Sequence, residues 1–312
     1  MKIAHSLLLA TTLSAATLAH AAEPESCAKV RFADVGWTDI TVTTAVTSEI
    51  LQQLGYTTET QMVSVPVTYK SLQNKDLDVF LGNWMPTMEA DIKPYRDDGS
   101  VETVRANLEG AKYTLAVSAA AYDAGLKSFA DIAKFAKKLD SKIYGIEPGN
   151  DGNRLIQGMI DENKFDLGKF KLVESSEAGM LSQVQRAERR GKWVVFLGWE
   201  PHPMNSRFKM KYLEGGDDVF GPNLGGATIY TNVRKGYVQE CPNVGKLLGN
   251  LKFSLEMENE LMGAVLTDKK KPDAAAKAWL KANPQSIDAW LDGVTSRDGK
   301  PAAEVVKAGL AK

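Results

Sequence analysis

The sequence has few of the residues and motifs on which most enzymes depend. It contains three histidines and two cysteines in 312 residues. No G-x-S-x-G, P-loop or G-x-G-x-x-G motif occurs, which argues against the common hydrolase, phosphoryl-transfer and dinucleotide-binding sites. A catalytic pair of carboxylates is not excluded, because a chain with 39 acidic residues can always bring two of them together. We therefore predict a protein that is not an enzyme and needs no cofactor.

Histidine is scarcest in the part of the chain that we expect to remain after processing. His5 and His20 lie in a predicted leader, so His202 alone remains. A single histidine argues against a His-ligated metal cluster, and we predict no metal site. If both cysteines are oxidised, no thiolate is left to act as a nucleophile.

The sequence has neither a large net charge nor a long run of apolar residues. Lys2 is the only charged residue of the leader, so the mature chain carries 37 basic and 39 acidic residues. This balance offers no basic field for nucleic acid and no polybasic run for lipid. The longest apolar runs resemble Trp193–Leu197, well short of the ~20 residues that a membrane-spanning helix needs. We therefore predict a soluble mature protein.

The N-terminus has the form of a secretory signal peptide. A positive start is followed by the apolar stretch Leu7–Leu18 and by the small-x-small cleavage signal Ala19–Ala21. We predict that residues 1–21 are removed, that the mature chain begins at Ala22 or Glu23, and that the protein is periplasmic.

The two cysteines, Cys27 and Cys241, lie far apart in the sequence. Cys27 follows Glu25 and Ser26 and so lacks the Leu and small residues of a lipoprotein cleavage site. In an oxidising compartment such a pair usually forms a disulfide, and two free thiols are the alternative. The bond would return the C-terminal part of the chain to its first half.

The order of strand and helix patterns predicts two α/β units. Apolar strands alternate with helices up to about residue 86, and the series restarts at Tyr113, as is typical of mainly parallel sheets. With the disulfide, this gives a discontinuous first lobe at 22–112 and 223–312 and a continuous second lobe at 113–222.

The pattern predicts helices at three segments of the chain in particular. One is predicted to begin at Thr38 or Asp39, either of which can cap it, and to end at Gly55. Two more are predicted at 128–139 and 285–291, where apolar residues recur at helical spacing.

The two halves end alike. In each, an apolar strand ends in a glycine that is followed by a tryptophan and a proline: Gly82, Trp84 and Pro86, then Gly198, Trp199 and Pro201. Open α/β sheets bind ligands at the carboxyl ends of their strands, so each half would offer one tryptophan to a shared cleft. Two separate core tryptophans are the alternative.

Aromatic residues supply the positive signal for function. Trp37 precedes a helix, Trp84 and Trp199 end strands, and Tyr113 begins the second half. A cage of such rings suits a methylated ammonium, which has no N–H to donate. Asp39 can serve as its counter-charge or only as a helix cap. Trp193, Trp279 and Trp290 are predicted to be core residues.

These segments resemble a known family. Asp34–Ile40, Asp78–Pro86, Tyr113, Pro148–Asn150 and Gly198–Pro201 closely resemble the choline-binding proteins of choline ABC importers, and the resemblance covers nearly the whole mature chain. The wider family includes binding proteins for glycine betaine, proline betaine and carnitine.

The resemblance implies a fold and a site. The fold is the two-lobed α/β periplasmic binding protein, or Venus flytrap, in which each lobe is a mainly parallel sheet flanked by helices and the ligand lies between the lobes. The site is an aromatic box of Trp37, Trp84, Tyr113 and Trp199, with Asp39 and Asn150 beside the ligand as counter-charge and hydroxyl partner. The choice of Tyr113 and Asn150 over their neighbours rests on the resemblance alone.

The main hypothesis is therefore choline capture for import, by a monomer that delivers its ligand to a permease in the inner membrane. Glycine betaine or carnitine binding by the same fold is the nearest alternative. A solute-sensing or chaperone-like periplasmic protein and an enzyme acting on choline or its esters are the others.

Overall fold

The computed structural model describes residues 23–311, and the predicted signal peptide lies outside that range. The described chain forms one mixed sheet of nine strands. The strands are β1 (Lys29–Asp34), β2 (Thr57–Met62), β3 (Val79–Met85), β4 (Val101–Ser118), β5 (Lys142–Tyr144), β6 (Lys171–Val173), β7 (Val195–Glu200), β8 (Met210–Tyr212) and β9 (Gly226–Arg234).

Helices alternate with these strands along the chain. The α-helices are α1 (Thr38–Gln53), α2 (Val65–Asn74), α3 (Glu89–Asp97), α4 (Ala119–Asp123), α5 (Asp151–Asp161), α6 (Glu177–Arg189), α7 (Met204–Arg207), α8 (Asp217–Phe220), α9 (Pro222–Gly225), α10 (Tyr237–Glu240), α11 (Pro242–Asn250), α12 (Leu255–Leu266), α13 (Pro272–Ala282) and α14 (Ala302–Leu310). Short 3-10 helices occur at Glu25–Cys27, Phe129–Phe135 and Lys164–Asp166. No helix of the described part of the chain has the length and apolarity to cross a membrane.

The sheet has two halves that meet at β4. Its strand order is β2-β1-β3-β9-β4-β7-β5-β6, with β8 also paired to β4. We call β1, β2, β3 and β9 with their helices the first half, and β5 to β8 with theirs the second half. In each half the outer strands are parallel, whereas β4 runs antiparallel to β7, β8 and β9. Lys112 is the residue of β4 that pairs with both β9 and β7.

Helix α1 begins just after the turn that follows β1. Gly36, with φ of +83°, permits the turn, and Gly55, with φ of +91°, follows the end of the helix as predicted. The predicted cap is wrong, because Trp37 occupies the N-cap position and its side chain makes no capping hydrogen bond to the helix. The N–H of Thr38 instead finds an acceptor in the second half of the protein.

Two predicted helices are not α-helices. Segment 128–139 contains a 3-10 helix at Phe129–Phe135, started by a capping box between Ser128 and Asp131. Segment 285–291 forms a series of turns, in which Trp290 N–H bonds the carbonyl of Ile287, three residues back. The amide of Asn250 binds the carbonyl of Trp290, so a neighbouring helix satisfies that backbone group.

The C-terminal helices return to the first half. Cys27 and Cys241 form the predicted disulfide, with Cα atoms 5.6 Å apart. Helix α1 packs against α12, α13 and α14. Trp290 is buried and stacks on the partly buried Trp279, in agreement with the predicted core role of these two residues.

Candidate functional site

Strand ends from both halves meet around one small cavity. Each residue that lines it is at most 6% exposed. The lining residues are Trp37, Asp39, Trp84, Tyr113, Ile146 and Trp199. Five of the six predicted ligand-binding residues therefore lie together, and the sixth, Asn150, lies behind them.

The first half supplies three of these residues from two elements. Trp37 follows the turn after β1, Asp39 lies in the first turn of α1, and Trp84 lies near the carboxyl end of β3. Gly82 lets α1 approach β3 closely, because a Cβ there would lie 2.7 Å from Cγ1 of Ile40. A larger residue would push α1, and Asp39 with it, away from Trp84.

Tyr113 is the central wall of the cavity. It pairs with Trp199 across β4 and β7, and the two rings meet edge to face at 6.2 Å. On its other side Tyr113 meets Trp84 at 5.9 Å. Gly152 makes room for it, since a Cβ at that position would lie 2.1 Å from the Tyr113 hydroxyl. The rings from both halves thus form one continuous aromatic lining.

Asp39 is the only acidic or basic residue among the lining residues, and it is 1% exposed. Its Oδ2 accepts a hydrogen bond from Nε1 of Trp84 at 3.2 Å, and its buried Oδ1 has no partner among the described residues. Burial, followed by the nearby charge of Glu177, raises the pKa of Asp39 to about 8. The carboxyl group is therefore mostly protonated at pH 7, and a cation bound in the cavity would favour its ionised form.

Further carboxyl groups surround the aromatic lining. Glu147, just after β5, accepts a hydrogen bond from Nε1 of Trp37 at 2.7 Å. Burial raises the pKa of Glu147 and of Asp34, and Glu177 adds to the shift in both. None of the described residues that line the cavity is basic. The electrostatic environment therefore favours a ligand with net positive charge.

Asn150 stands one hydrogen bond behind the cavity wall. It is the N-cap of α5, and its Oδ1 accepts from the Tyr113 hydroxyl and from Asn153 N–H, both at 3.0 Å. Its Nδ2 donates to Asp151 at 2.9 Å. The structure thus gives Asn150 a role in orienting Tyr113, and its direct contact with a ligand hydroxyl stays a prediction.

Sequence reasoning missed four residues at or near the site. Ile146 and Glu147 adjoin the loop that carries Asn150, so position in the sequence offered a weak signal for them. Glu177 and His202 gave none, because Glu177 contacts Thr38 across 139 residues of sequence.

Comparison with known proteins places this site in a family context. The family model described as the substrate binding domain of ABC-type glycine betaine transport system matches residues 28–282. A solved structure of an ABC-transporter choline binding protein in complex with choline is 66% identical, with a TM-score of 0.91 over 92% of this chain and 100% of that chain. An ABC-transporter choline binding protein in an unliganded semi-closed conformation is 65% identical, with a TM-score of 0.86 over the same shares.

A more distant relative is named for other ligands. The glycine betaine/carnitine transport binding protein GbuC of Listeria monocytogenes serotype 1/2a (strain 10403S) is 33% identical over 163 residues. That alignment covers 52% of this chain and 53% of the relative.

Proposed function

This chain belongs to the family of substrate-binding domains of ABC-type glycine betaine transport systems, and we propose that it captures choline and delivers it to the importer's permease. In this proposal the two halves are lobes, formed by residues 22–112 with 223–312 and by residues 113–222. The dual pairing of Lys112, at the junction of β9 and β7, supports the first of these boundaries.

The aromatic lining suits the trimethylammonium group of choline. Four rings surround the cavity, and each presents negative quadrupole density to a cation within ~6 Å. A quaternary ammonium has no N–H, so it loses no hydrogen bond when these rings replace water. Ammonium or amine ligands would instead need several acceptors, and Asp39 is the only carboxylate in the lining.

The unpartnered oxygen of Asp39 is the single observation that carries the choice of choline. A buried carboxylate is costly unless a positive charge accompanies it, and the cavity lining provides none. Choline brings net charge +1 and satisfies this requirement. Glycine betaine and carnitine bring a carboxylate of their own, which Asp39 would repel and for which the lining offers no cationic partner.

The hydroxyl of choline needs a polar partner as well. We assign it to Asn150, whose Nδ2 has two N–H groups, while Asp151 is its one acceptor among the described residues. The interaction orients the ligand with its ammonium group toward the rings and Asp39.

The family's role in ABC import implies work in the periplasm, and we propose export through the predicted signal peptide at 1–21 followed by its cleavage. We further propose that the bound ligand leaves chemically unchanged. His202 bonds Glu177 and Met204 and is therefore held in a structural role rather than as a free acid or base.

A methylation series tests the proposal. Refolded protein, freed of co-purified ligand, is titrated calorimetrically with choline, dimethylethanolamine and ethanolamine. Affinity should fall with each methyl group removed, because N–H groups return and apolar contact is lost. Ethanolamine binding as tightly as choline would contradict the aromatic box. Proton NMR of choline and acetylcholine incubated with the protein should show no conversion, and turnover would favour an enzyme.

A further inference from the structure

One buried carboxylate outside the cavity lining contacts both halves of the protein. Glu177 is the first residue of α6 and is 4% exposed. Its Oε2 accepts from the backbone N–H of Thr38 at 2.8 Å, and its Oε1 accepts from the Thr38 hydroxyl at 2.6 Å. Thr38 is the first residue of α1, whose own N-cap side chain makes no such bond. The start of a first-half helix is therefore capped from the second half.

A histidine holds the same carboxylate from its other side. Nδ1 of His202 accepts from Met204 N–H at 2.9 Å, so the ring carries its proton on Nε2. That Nε2 lies 3.2 Å from Oε1 of Glu177 and donates to it. The His202 ring also meets the ring of Trp199 edge to face at 4.9 Å.

Both partners of Glu177 adjoin opposite walls of the cavity. Thr38 lies between Trp37 and Asp39 in the chain, and His202 packs on Trp199. Hydrogen bonds to an ionised acceptor are about twice as strong as neutral ones, and a helix N-terminus favours negative charge. The contacts with Thr38 can form only while the two halves are together.

Trp37 and Arg154 also make polar contacts that cross between the halves, but these contacts differ from the one at Glu177. Trp37 donates to Glu147 as part of the cavity wall itself. Arg154 binds Asp91 and the carbonyl of Thr87 with its side chain 42% exposed, where water weakens the pair.

We propose that Glu177 is a positioning residue that latches the two halves closed around the bound cation. Its bonds to Thr38 and His202 tie the two cavity walls to each other, so they slow ligand release rather than recognise the ligand. The inference rests on the proposed function, since the latch is measured through choline.

The test compares Glu177→Gln with Glu162→Gln. The first exchange replaces one acceptor oxygen by a donor. The second removes the same charge from an exposed position at the end of α5 in the second half. Choline association and dissociation are followed by stopped-flow tryptophan fluorescence on refolded protein. We expect Glu177→Gln to accelerate dissociation about 10- to 100-fold with little change in association rate, because a charge-assisted contact present only in the closed state is lost. Glu162→Gln should behave as wild type.

A second variant, Thr38→Val, removes the hydroxyl group that donates to Glu177 and keeps the backbone N–H. Its effect on dissociation should largely disappear in the Glu177→Gln background, since both changes break one contact. The melting temperature of ligand-free Glu177→Gln should match that of wild type, whereas the rise caused by choline should shrink.

Three results would overturn the latch: an unchanged dissociation rate in Glu177→Gln, additive effects of the two changes, or an equal loss of melting temperature with and without choline. A slower association rate with unchanged dissociation would mean long-range attraction of the cation instead. If wild-type protein fails to bind choline, the proposed function itself is wrong, and the proposed latch is then rejected as well.

Discussion

The exchange Asp39→Asn isolates the charge that we assign to cation recognition. It keeps the shape of the side chain and an oxygen that can accept from Nε1 of Trp84. Two unit charges ~4 Å apart attract by ~4 kcal/mol at an effective dielectric constant of ~20. Ionising a carboxyl group with a pKa of about 8 at pH 7 costs ~1.4 kcal/mol of that attraction. The charge should therefore contribute ~2–3 kcal/mol, and Asp39→Asn should weaken choline binding about 30- to 150-fold at pH 7.

The same reasoning fixes the pH dependence of binding. Choline binds the ionised form of Asp39, so its affinity should rise as pH rises from 6 toward the pKa of about 8 in the empty site, and level off above it. Close to one proton should be released per choline bound at pH 7. Calorimetry in buffers of different ionisation enthalpy measures this release directly.

Matched variants make the outcome unambiguous. Asp39→Asn should bind choline with no slope between pH 6 and 8 and should release no proton. Asp76→Asn, which removes an exposed charge from the first half, should keep both the affinity and the slope of wild type. The reasoning is refuted if Asp39→Asn binds choline as tightly as wild type, or if wild type releases no proton.

Three further predictions concern the walls and supports of the site. Trp199→Ala should weaken choline binding by ~1–3 kcal/mol and reduce the compaction that small-angle scattering detects when choline is added. Trp279→Phe should alter stability only. An equal loss of affinity in both variants would show that the binding site does not lie where we propose. Gly152→Ala should displace the Tyr113 hydroxyl and weaken choline binding in calorimetry, and unchanged affinity would show that the ring position does not matter. Replacing both Cys27 and Cys241 by Ser should lower the melting temperature with little effect on affinity, and mass spectrometry should find no free thiol in the exported wild type.

The sequence patterns predicted the parts of the molecule that follow from local order. An apolar strand ending in glycine and tryptophan occurs twice, and both tryptophans line the cavity, because the carboxyl ends of strands in an open α/β sheet meet at one edge. Trp37 was predicted as an aromatic residue just before a helix, and Asp39 as a counter-charge two residues after it. Tyr113 and Asn150 were identified by family resemblance, since spacing does not distinguish them from nearby tyrosine or polar residues.

What could not be predicted depends on contacts between distant segments. The helix cap of α1 is the clearest case, because its acceptor, Glu177, lies 139 residues away in sequence from Thr38. Segment 285–291 shows the same limit, since its turns are held in part by Asn250, a residue of the distant helix α11 that donates to the carbonyl of Trp290. In both, tertiary hydrogen bonds replaced the local ones that propensity and spacing anticipate.

The central claim is that the cavity selects a net cation, and a side-by-side calorimetric titration of refolded protein with choline and glycine betaine tests it most directly. Both ligands carry the trimethylammonium group, so the comparison keeps that group and exchanges the neutral hydroxyl arm of choline for a carboxylate, which changes the net charge from +1 to zero. We predict that choline binds at least ~10-fold more tightly, a difference of ~1.4 kcal/mol in binding free energy. Equal affinities, or tighter binding of glycine betaine, would contradict the claim.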